Sequence, residues 1–359
     1  ANRFNPIIME GAGSISEINL RDSDLVNMPM ARHAGANVIL VADIDRGGVF
    51  ASCYGSVMLQ TPDDRKRIKG IIINKFRGDI RLFDDGKRMI EELCGVPVLG
   101  IVPMFRNIVI EEEDSVELER KMHTTTEGKV NIAVVLLRHI SNFTDFNVLE
   151  RDCRVNLFYT NNISDIEKAD IIILPGTKAT LDDLYELRRN GVAQAIIRAH
   201  KERKTVVGIC GGFQMLGQVV ADPDGVEGSV PQLPGLGLLD TTTVMKHDKV
   251  TRQVSFSFNA TECKGYEIHQ GDTVYSEQSD KAGEKTETVV MAGHCIGTYI
   301  HGFLDNGAVI DYILEPFAKG KGNMPSETVE EFKNRQYDLL AAHVRKYVDI
   351  DRLIKIMQS

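Results

Sequence analysis

The chain has 359 residues, 43% hydrophobic and 26% charged, with 31 Gly, 11 Pro, no Trp and a formal net charge of −9. At roughly 150 residues per domain this implies two or three domains with ample core, and it excludes a disordered, collagen-like or coiled-coil chain. No apolar run reaches the roughly 18 residues of a membrane-spanning helix, and the acidic balance without a Lys/Arg block argues against nonspecific nucleic-acid or anionic-membrane binding.

The first third alternates short apolar runs with helical patterns. Ile7–Met9 opens onto Glu10-Gly11-Ala12-Gly13-Ser14, and Asn37–Asp45, Gly70–Phe76 and Val96–Pro103 read as further strands. Helices are predicted near Asp24–Ala34, Phe50–Leu59 and Leu82–Cys94. Fully apolar strands separated by helices imply an α/β unit with a parallel sheet covered on both faces. From Glu111 to Lys129 the sequence turns charged and Thr-rich, which marks a surface connection. The expected domains are therefore 1–115, a linker 116–129, and 130–359.

A second α/β set follows: Val130–Leu137, Val155–Tyr159, Asp170–Leu174, one long helix about Asp182–His200, and Thr205–Ile209. Strand-like runs at Val250–Phe258, Gly265–His269 and Gly297–His301 suggest a β-rich insertion, and helices near Ala308–Ala318 and Thr328–Lys346 a helical tail. The six cysteines form no Cys-x-x-Cys pair, which argues against a disulfide framework or structural zinc and fits a reducing cytoplasm. The opening Ala-Asn-Arg-Phe-Asn-Pro has no charged-then-apolar signal design.

The most informative stretch runs from Thr205 to Gly217. An apolar strand ends at Ile209, Cys210 follows, and Gly211 and Gly212 precede a helix, so glycines on either side permit a sharp strand-to-helix turn. A Cys at that place is favoured as thiolate, and the N–H of Gly211 faces a developing oxyanion. The plain alternative is a small buried hydrophobe, the commonest fate of a free Cys; the strand-turn-helix context favours the nucleophile.

Gly208-Ile209-Cys210-Gly211-Gly212-Phe213-Gln214 resembles the nucleophile turn of class I glutamine amidotransferases, Gly-x-Cys-x-Gly-x-Gln. That resemblance implies a base on a later strand, matched by His301 after Gly297-Thr298-Tyr299-Ile300, and places Gly211 and Gln214 in the oxyanion and substrate-binding set. Leu174-Pro175-Gly176-Thr177-Lys178 resembles the family's oxyanion-strand loop and adds Gly176; by spacing alone it reads as an ordinary strand-to-helix turn. Most members carry Glu two residues after the base, where this chain has Phe303. The departure implies a Cys–His dyad, with Asp305 as the candidate orienting carboxylate, and slow glutamine hydrolysis until a synthetase domain is loaded. Loss of that Glu is typical of the branch attached to corrinoid amide synthases.

Three motifs carry the first domain: Glu10–Ser14, Asp43-Ile44-Asp45-Arg46-Gly47-Gly48, and Asn74-Lys75-Phe76-Arg77-Gly78-Asp79. Singly they read as a tight turn, a capped turn and a solvated turn. Together they lie at strand C-termini, where open parallel sheets bind ligands, with acids suited to Mg²⁺ and glycines that admit phosphate. The set resembles the ATP-binding domain shared by dethiobiotin synthetase and corrinoid amide synthases, which implies Mg²⁺ at Glu10, adenine at Asn74, and Asp43 and Asp45 among the cofactor-binding residues.

Glu17–Arg21, Asp43–Ser52, Asn74–Asp79, Ser141-Asn142-Phe143-Thr144-Asp145-Phe146 and Gly265–His269 resemble the cobyric acid synthase family over nearly all the chain. The resemblance implies ATP- and glutamine-dependent amidation of the b, d, e and g carboxylates of adenosylcobyrinic a,c-diamide. Cobyrinic acid a,c-diamide synthases and cell-wall lipid amidating enzymes share the amidotransferase module and stand as alternatives. A noncatalytic scaffold with a buried Cys210 is a third reading, and a stand-alone glutaminase or peptidase a fourth, disfavoured by the nucleotide-like first half. The chain contains no Gly-x-x-x-x-Gly-Lys-Ser/Thr loop to cradle ATP phosphates. This fits a truncated chain that keeps the glutaminase site but cannot by itself carry out ATP-driven synthesis.

Overall fold

A computed structural model describes residues 6–105, 107–110, 125–275, 289–317 and 329–358. They divide into two compact units, Ala1–Ile110 with Glu330–Ser359, and Glu111–Val329. Residues 111–124 lie outside the described residues, and with them 116–124 of the expected linker 116–129. No helix among the described residues is long and apolar enough to cross a membrane.

The first unit runs α1 (Met28–Ala34), β1 (Val38–Asp43), α2 (Val49–Met58), α3 (Pro62–Arg65), β2 (Ile68–Phe76), α4 (Asp84–Cys94) and β3 (Val98–Pro103). Its sheet is parallel in the order β1-β2-β3, as the apolar runs predict. Ile71, Ile73, Val98 and Ile101 bury against Val57 of α2 and Ile90 of α4, each such side chain stabilising by about 1.5–3 kcal/mol. The register sets Asp43 beside Asn74 at the carboxyl edge.

Two expectations fail here. Ile7–Met9 is irregular rather than a strand, with Ile8 83% exposed; among the described residues no strand pairs with it, and an apolar run with no ladder partner gains nothing by extending. The helix foreseen from Asp24 begins only at Met28. Asp24 Oδ1 instead accepts the N–H groups of Val26 and Asn27, each at 3.0 Å, and so shapes a turn ahead of the helix.

The second unit continues with β4 (Val130–Val135), α5 (Asn147–Arg151), β5 (Val155–Thr160), α6 (Ile163–Lys168), β6 (Ile171–Leu174), α7 (Thr180–Arg189), α8 (Val192–Lys201), β7 (Thr205–Ile209) and α9 (Gly211–Leu216). There follow β8 (Val219–Ala221), β9 (Gln232–Pro234), β10 (Thr241–Phe258), β11 (Thr261–Tyr275), β12 (Val289–Ala292), β13 (Cys295–Thr298), β14 (Ile300–His301) and α10 (Gly307–Leu314). Six strands in the order β12-β13-β7-β6-β4-β5 form the central sheet, parallel except for the edge strand β12. A second sheet, β14-β11-β10-β8-β9, is built on one long antiparallel hairpin. That hairpin is the foreseen β-rich insertion, extended to Thr241 and Tyr275. The single helix expected over Asp182–His200 is two, broken where Gly191 takes φ 84° and Asn190 Oδ1 accepts the Val192 N–H at 3.0 Å.

The chain then forms α11 (Val329–Tyr347) and α12 (Ile350–Gln358), which pack on the first sheet and group with the first unit, whereas the expected domain 130–359 held them in the second. Val348 bridges to Gly100, the Asp349 N–H bonds the Leu99 carbonyl at 2.8 Å, and Asn37 Nδ2 donates to the Ile356 carbonyl at 2.7 Å. The cause is the second face of β3. Leu99 and Val102 point away from α2 and α4 and are buried instead by Val348, Val344 and Leu353.

Candidate active site

β7 ends against β13, and the Cys210 N–H donates to the Thr298 carbonyl at 2.8 Å, continuing the ladder that pairs Ile209 with Thr298. Cys210 then takes φ 52°, a left-handed conformation costly for a residue with a Cβ, and α9 starts at the next residue. Gly212 permits the turn: a Cβ there would overlap the carbonyl oxygen of Leu174. The sharp bend foreseen from the glycines is present, with its strain on the cysteine itself.

Because Thr298 lies beside Ile209, the residues after it pass over the bend and bring His301 to Cys210. Cys210 is 8% exposed and His301 1%. Aliphatic core surrounds the cysteine, yet its Sγ donates to the Ile268 carbonyl at 3.5 Å, and it lies close enough to His301 to raise that ring's pKa. Tyr266 stacks on the His301 ring, with centroids 5.3 Å apart and planes at 26°. Burial pushes the Cys53, Cys94, Cys263 and Cys295 thiols up, as expected of inert core cysteines.

His301 Nδ1 lies 2.7 Å from Asp145 Oδ2, and Asp145 Oδ1 accepts the Gly302 N–H at 3.0 Å. A carboxylate only accepts, so the ring hydrogen is on Nδ1. Burial alone would lower the His301 pKa, but hydrogen bonds and charge from Asp145, then from Cys210, raise it to about 10. The carboxylate at His301 Nδ1 is thus Asp145, where Asp305 was the candidate. Phe303 is fully buried, stacked on Phe256 with centroids 5.8 Å apart and edge-on to Phe258, so the position at which the resemblance led one to look for Glu points into core. The carboxylate arrives from the turn after β4 instead. Asp145 was visible as the acid of Ser141–Phe146, but its pairing joins positions 156 residues apart.

The other foreseen residues fall as follows. A Cβ built on Gly176 would lie 3.2 Å from Ser141 Oγ and 3.3 Å from His301 Cε1, so this turn touches the base. Gln214 is 2% exposed, with Oε1 accepting from Thr180 Oγ1 at 3.0 Å and Nε2 donating to Tyr299 Oη at 3.2 Å. Both ends of its amide are thus held within the wall. His269 stacks on Tyr299 at 3.7 Å and meets the Gly271 carbonyl at 2.9 Å.

In the first unit, Asp43, Asp45 and Asn74 meet at the ends of β1 and β2. Asp43 Oδ2 pairs with Lys75 Nζ at 3.0 Å, Asp45 takes both Arg77 Nε and, at 3.1 Å, Nη2, and Asn74 Oδ1 accepts the Lys75 N–H at 2.9 Å. Burial would raise the Asp43 carboxyl, but its bond from Lys75 holds it below the usual range. Glu10 is exposed, and among the described residues no group of three or more His, Cys, Asp or Glu is placed to hold a metal.

Residues 131–309 match the CobB/CobQ-like glutamine amidotransferase domain, and residues 1–112 an AAA domain. Cobyric acid synthase of Phocaeicola vulgatus is 63% identical over 372 residues, covering 100% of this chain and 74% of that protein. The Bacteroides fragilis cobyric acid synthase is 62% identical over 365 residues, covering 99% of this chain and 74% of that protein. The Limosilactobacillus reuteri enzyme of the same name is 44% identical over 375 residues, covering 100% and 75%. The chain belongs to the cobyric acid synthase family. Its second unit is the amidotransferase part of a cobyric acid synthase-type chain and its first the nucleotide-binding-type part, so the α/β reading of both halves stands. These relatives carry the cobyric acid synthase name and not that of a diamide synthase or a lipid-amidating enzyme.

Proposed function

We propose that Cys210, His301 and Asp145 form the glutaminase centre of a glutamine- and ATP-dependent amide ligase, and that its amide acceptors are carboxylates of a corrinoid. The observation that carries the reading is the cysteine on a strained strand-to-helix bend, beside a histidine that a buried carboxylate holds.

With His301 protonated, the Cys210 thiolate attacks the side-chain amide carbon of glutamine. The N–H groups of Gly211 and Gly176 receive the tetrahedral oxyanion. The C–N bond then breaks, ammonia leaves with the proton of His301, and a thioester remains. Neutral His301 next takes a proton from water, the hydroxide displaces the thiolate from the thioester, and glutamate departs with the ion pair restored. Asp145 keeps the ring in one orientation through both proton transfers, as the carboxylate of such triads does. Gln214 acts by joining α7 to the Tyr299 side of the site.

In the second half-reaction ATP phosphorylates an acceptor carboxylate, and ammonia displaces phosphate to leave the amide. Asn74, Asp43 and Asp45, at the sheet edge where such folds bind nucleotides, are the residues we assign to ATP. The b, d, e and g carboxylates of adenosylcobyrinic a,c-diamide are the acceptors this family membership favours. The residues of the glutamine half-reaction are all present in the second unit, so that half is tested first. Glutamate release from glutamine by the purified protein should fall by a factor on the order of 10⁴ or more in Cys210→Ala, and labelling by a diazoketone glutamine analogue should vanish with it. Undiminished hydrolysis in that variant would overturn the proposal. Mass spectrometry of the corrinoid, incubated with glutamine, ATP and this chain joined to a phosphate-loop segment, should show up to four successive amide formations, whereas the chain alone should show none.

A further inference from the structure

Of the buried carboxylates that the mechanism above does not use, one faces the turn at Gly176. Asp183 lies on the first turn of α7, 2% exposed, and burying a charge is costly unless something holds it. Its Oδ2 accepts the hydroxyl hydrogen of Thr177 at 2.5 Å and the backbone N–H of His139 at 3.3 Å, while Oδ1 lies 3.1 Å from His139 Nδ1. Thr177 Oγ1 in turn accepts the Ala179 N–H at 3.1 Å. The same two segments are laced by backbone bonds. The Lys178 N–H donates to the His139 carbonyl at 3.0 Å and the Ser141 N–H to the Gly176 carbonyl at 2.9 Å, about a bridge between Ile140 and Thr177.

The held residues flank Gly176, the turn glycine that touches His301. A glycine pivots more freely than any other residue, so an N–H that must point at one oxygen atom has to be fixed by its neighbours. Ser141 fixes the carbonyl side of Gly176. The next residue, Thr177, is fixed by Asp183 through a charge-assisted bond, stronger than a neutral one.

We propose that Asp183 is a positioning residue for the oxyanion turn: by gripping Thr177 and His139 together it aims the Gly176 N–H at the carbonyl oxygen of glutamine held on Cys210. The inference rests on the glutaminase reading and adds to it a residue that touches neither substrate nor nucleophile.

The test sets hydrolysis against a reaction of the same sulfur that needs no oxyanion. Alkylation of Cys210 by iodoacetamide forms a carbon–sulfur bond at a saturated carbon and expels iodide. In the purified protein, Asp183→Asn and Thr177→Val should lower kcat for glutamine hydrolysis on the order of 10- to 100-fold. KM should stay within about threefold and the Cys210 alkylation rate within about twofold, since neither senses the aim of an oxyanion donor. Thr177→Ser, which keeps the hydroxyl, should restore most of kcat. Thr177→Val is nearly isosteric and carries the test alone if Asp183→Asn does not fold. An unchanged kcat in Thr177→Val, or alkylation that slows in step with hydrolysis, overturns the proposal. Persistent hydrolysis in Cys210→Ala would instead overturn the glutaminase reading beneath it, so the two failures are told apart.

Discussion

The Cys210 site and the Asp43–Asn74 edge both sit at carboxyl ends of parallel strands, yet they are finished differently. At the first, strand ends, the loop after β4 and the hairpin strand β11 converge until His301 and Asp145 are almost fully buried. At the second, the acids remain partly exposed and each is matched by its own cation, Lys75 or Arg77. Burial multiplies the strength of each polar contact at the closed site, whereas solvent screens the pairs at the open one. The same topological position thus yields a preorganised centre in one unit and an edge of compensated charges in the other.

The sharpest way to break this contrast is at Asp145. Asp145→Asn should lower kcat for glutamine hydrolysis by about 10²- to 10⁴-fold, whereas Asp305→Ala should stay within about twofold. Equal losses in steady-state assays would return the orienting role to Asp305. The pH dependence follows from the same contact. His301 ordinarily titrates near 6.5 and is raised in the folded protein to about 10. Because the folded value lies above the unfolded one, its stabilisation is complete below about 6.5 and is lost as pH rises through about 10. The denaturant midpoint should therefore fall more steeply between pH 6.5 and 10 in the parent than in Asp145→Asn, and the alkaline limb of the rate profile should move to lower pH in that variant.

Gly212→Ala tests the bend itself. The new methyl meets the Leu174 carbonyl, so a loss of about 3 kcal/mol is expected from denaturant titration, together with loss of hydrolysis. Val348→Ala acts at the other region. Deleting two methyl groups from the cluster on β3 should cost about 2 kcal/mol, visible in the unfolding of the first unit, and leave glutamine hydrolysis within about twofold. A large loss of hydrolysis there would show that the second unit depends on the first.

The bend was readable because everything that makes it is local: an apolar strand, a cysteine, two glycines and a helix within thirteen residues. The parallel sheets were readable for a similar reason, since runs such as Gly70–Phe76 and Asp170–Leu174 are apolar on both faces. Asp145 was not readable as a partner of His301, because nothing near either residue states that the end of β4 and the strand after β13 meet. The replacement of Glu by Phe303 signalled that a carboxylate had to come from elsewhere, without saying where. The C-terminal helices pose the same difficulty at larger scale. Their apolar stripes require a partner, and nothing within them distinguishes the outer face of β3 from the second domain. The exposed run Ile7–Met9 shows the converse error, in which apolar composition suggested a strand that no neighbour among the described residues completes.

The bridge from Gly100 to Val348 has a consequence for how the molecule is made. On the ribosome, the first sheet must wait, one flank bare, while the whole amidotransferase insert is translated, before the helix that covers Leu99 and Val102 emerges. A nascent chain that stalls or is clipped in that interval would carry a finished glutaminase beside a sticky, half-clad neighbour, an aggregation hazard that chaperones would have to contain.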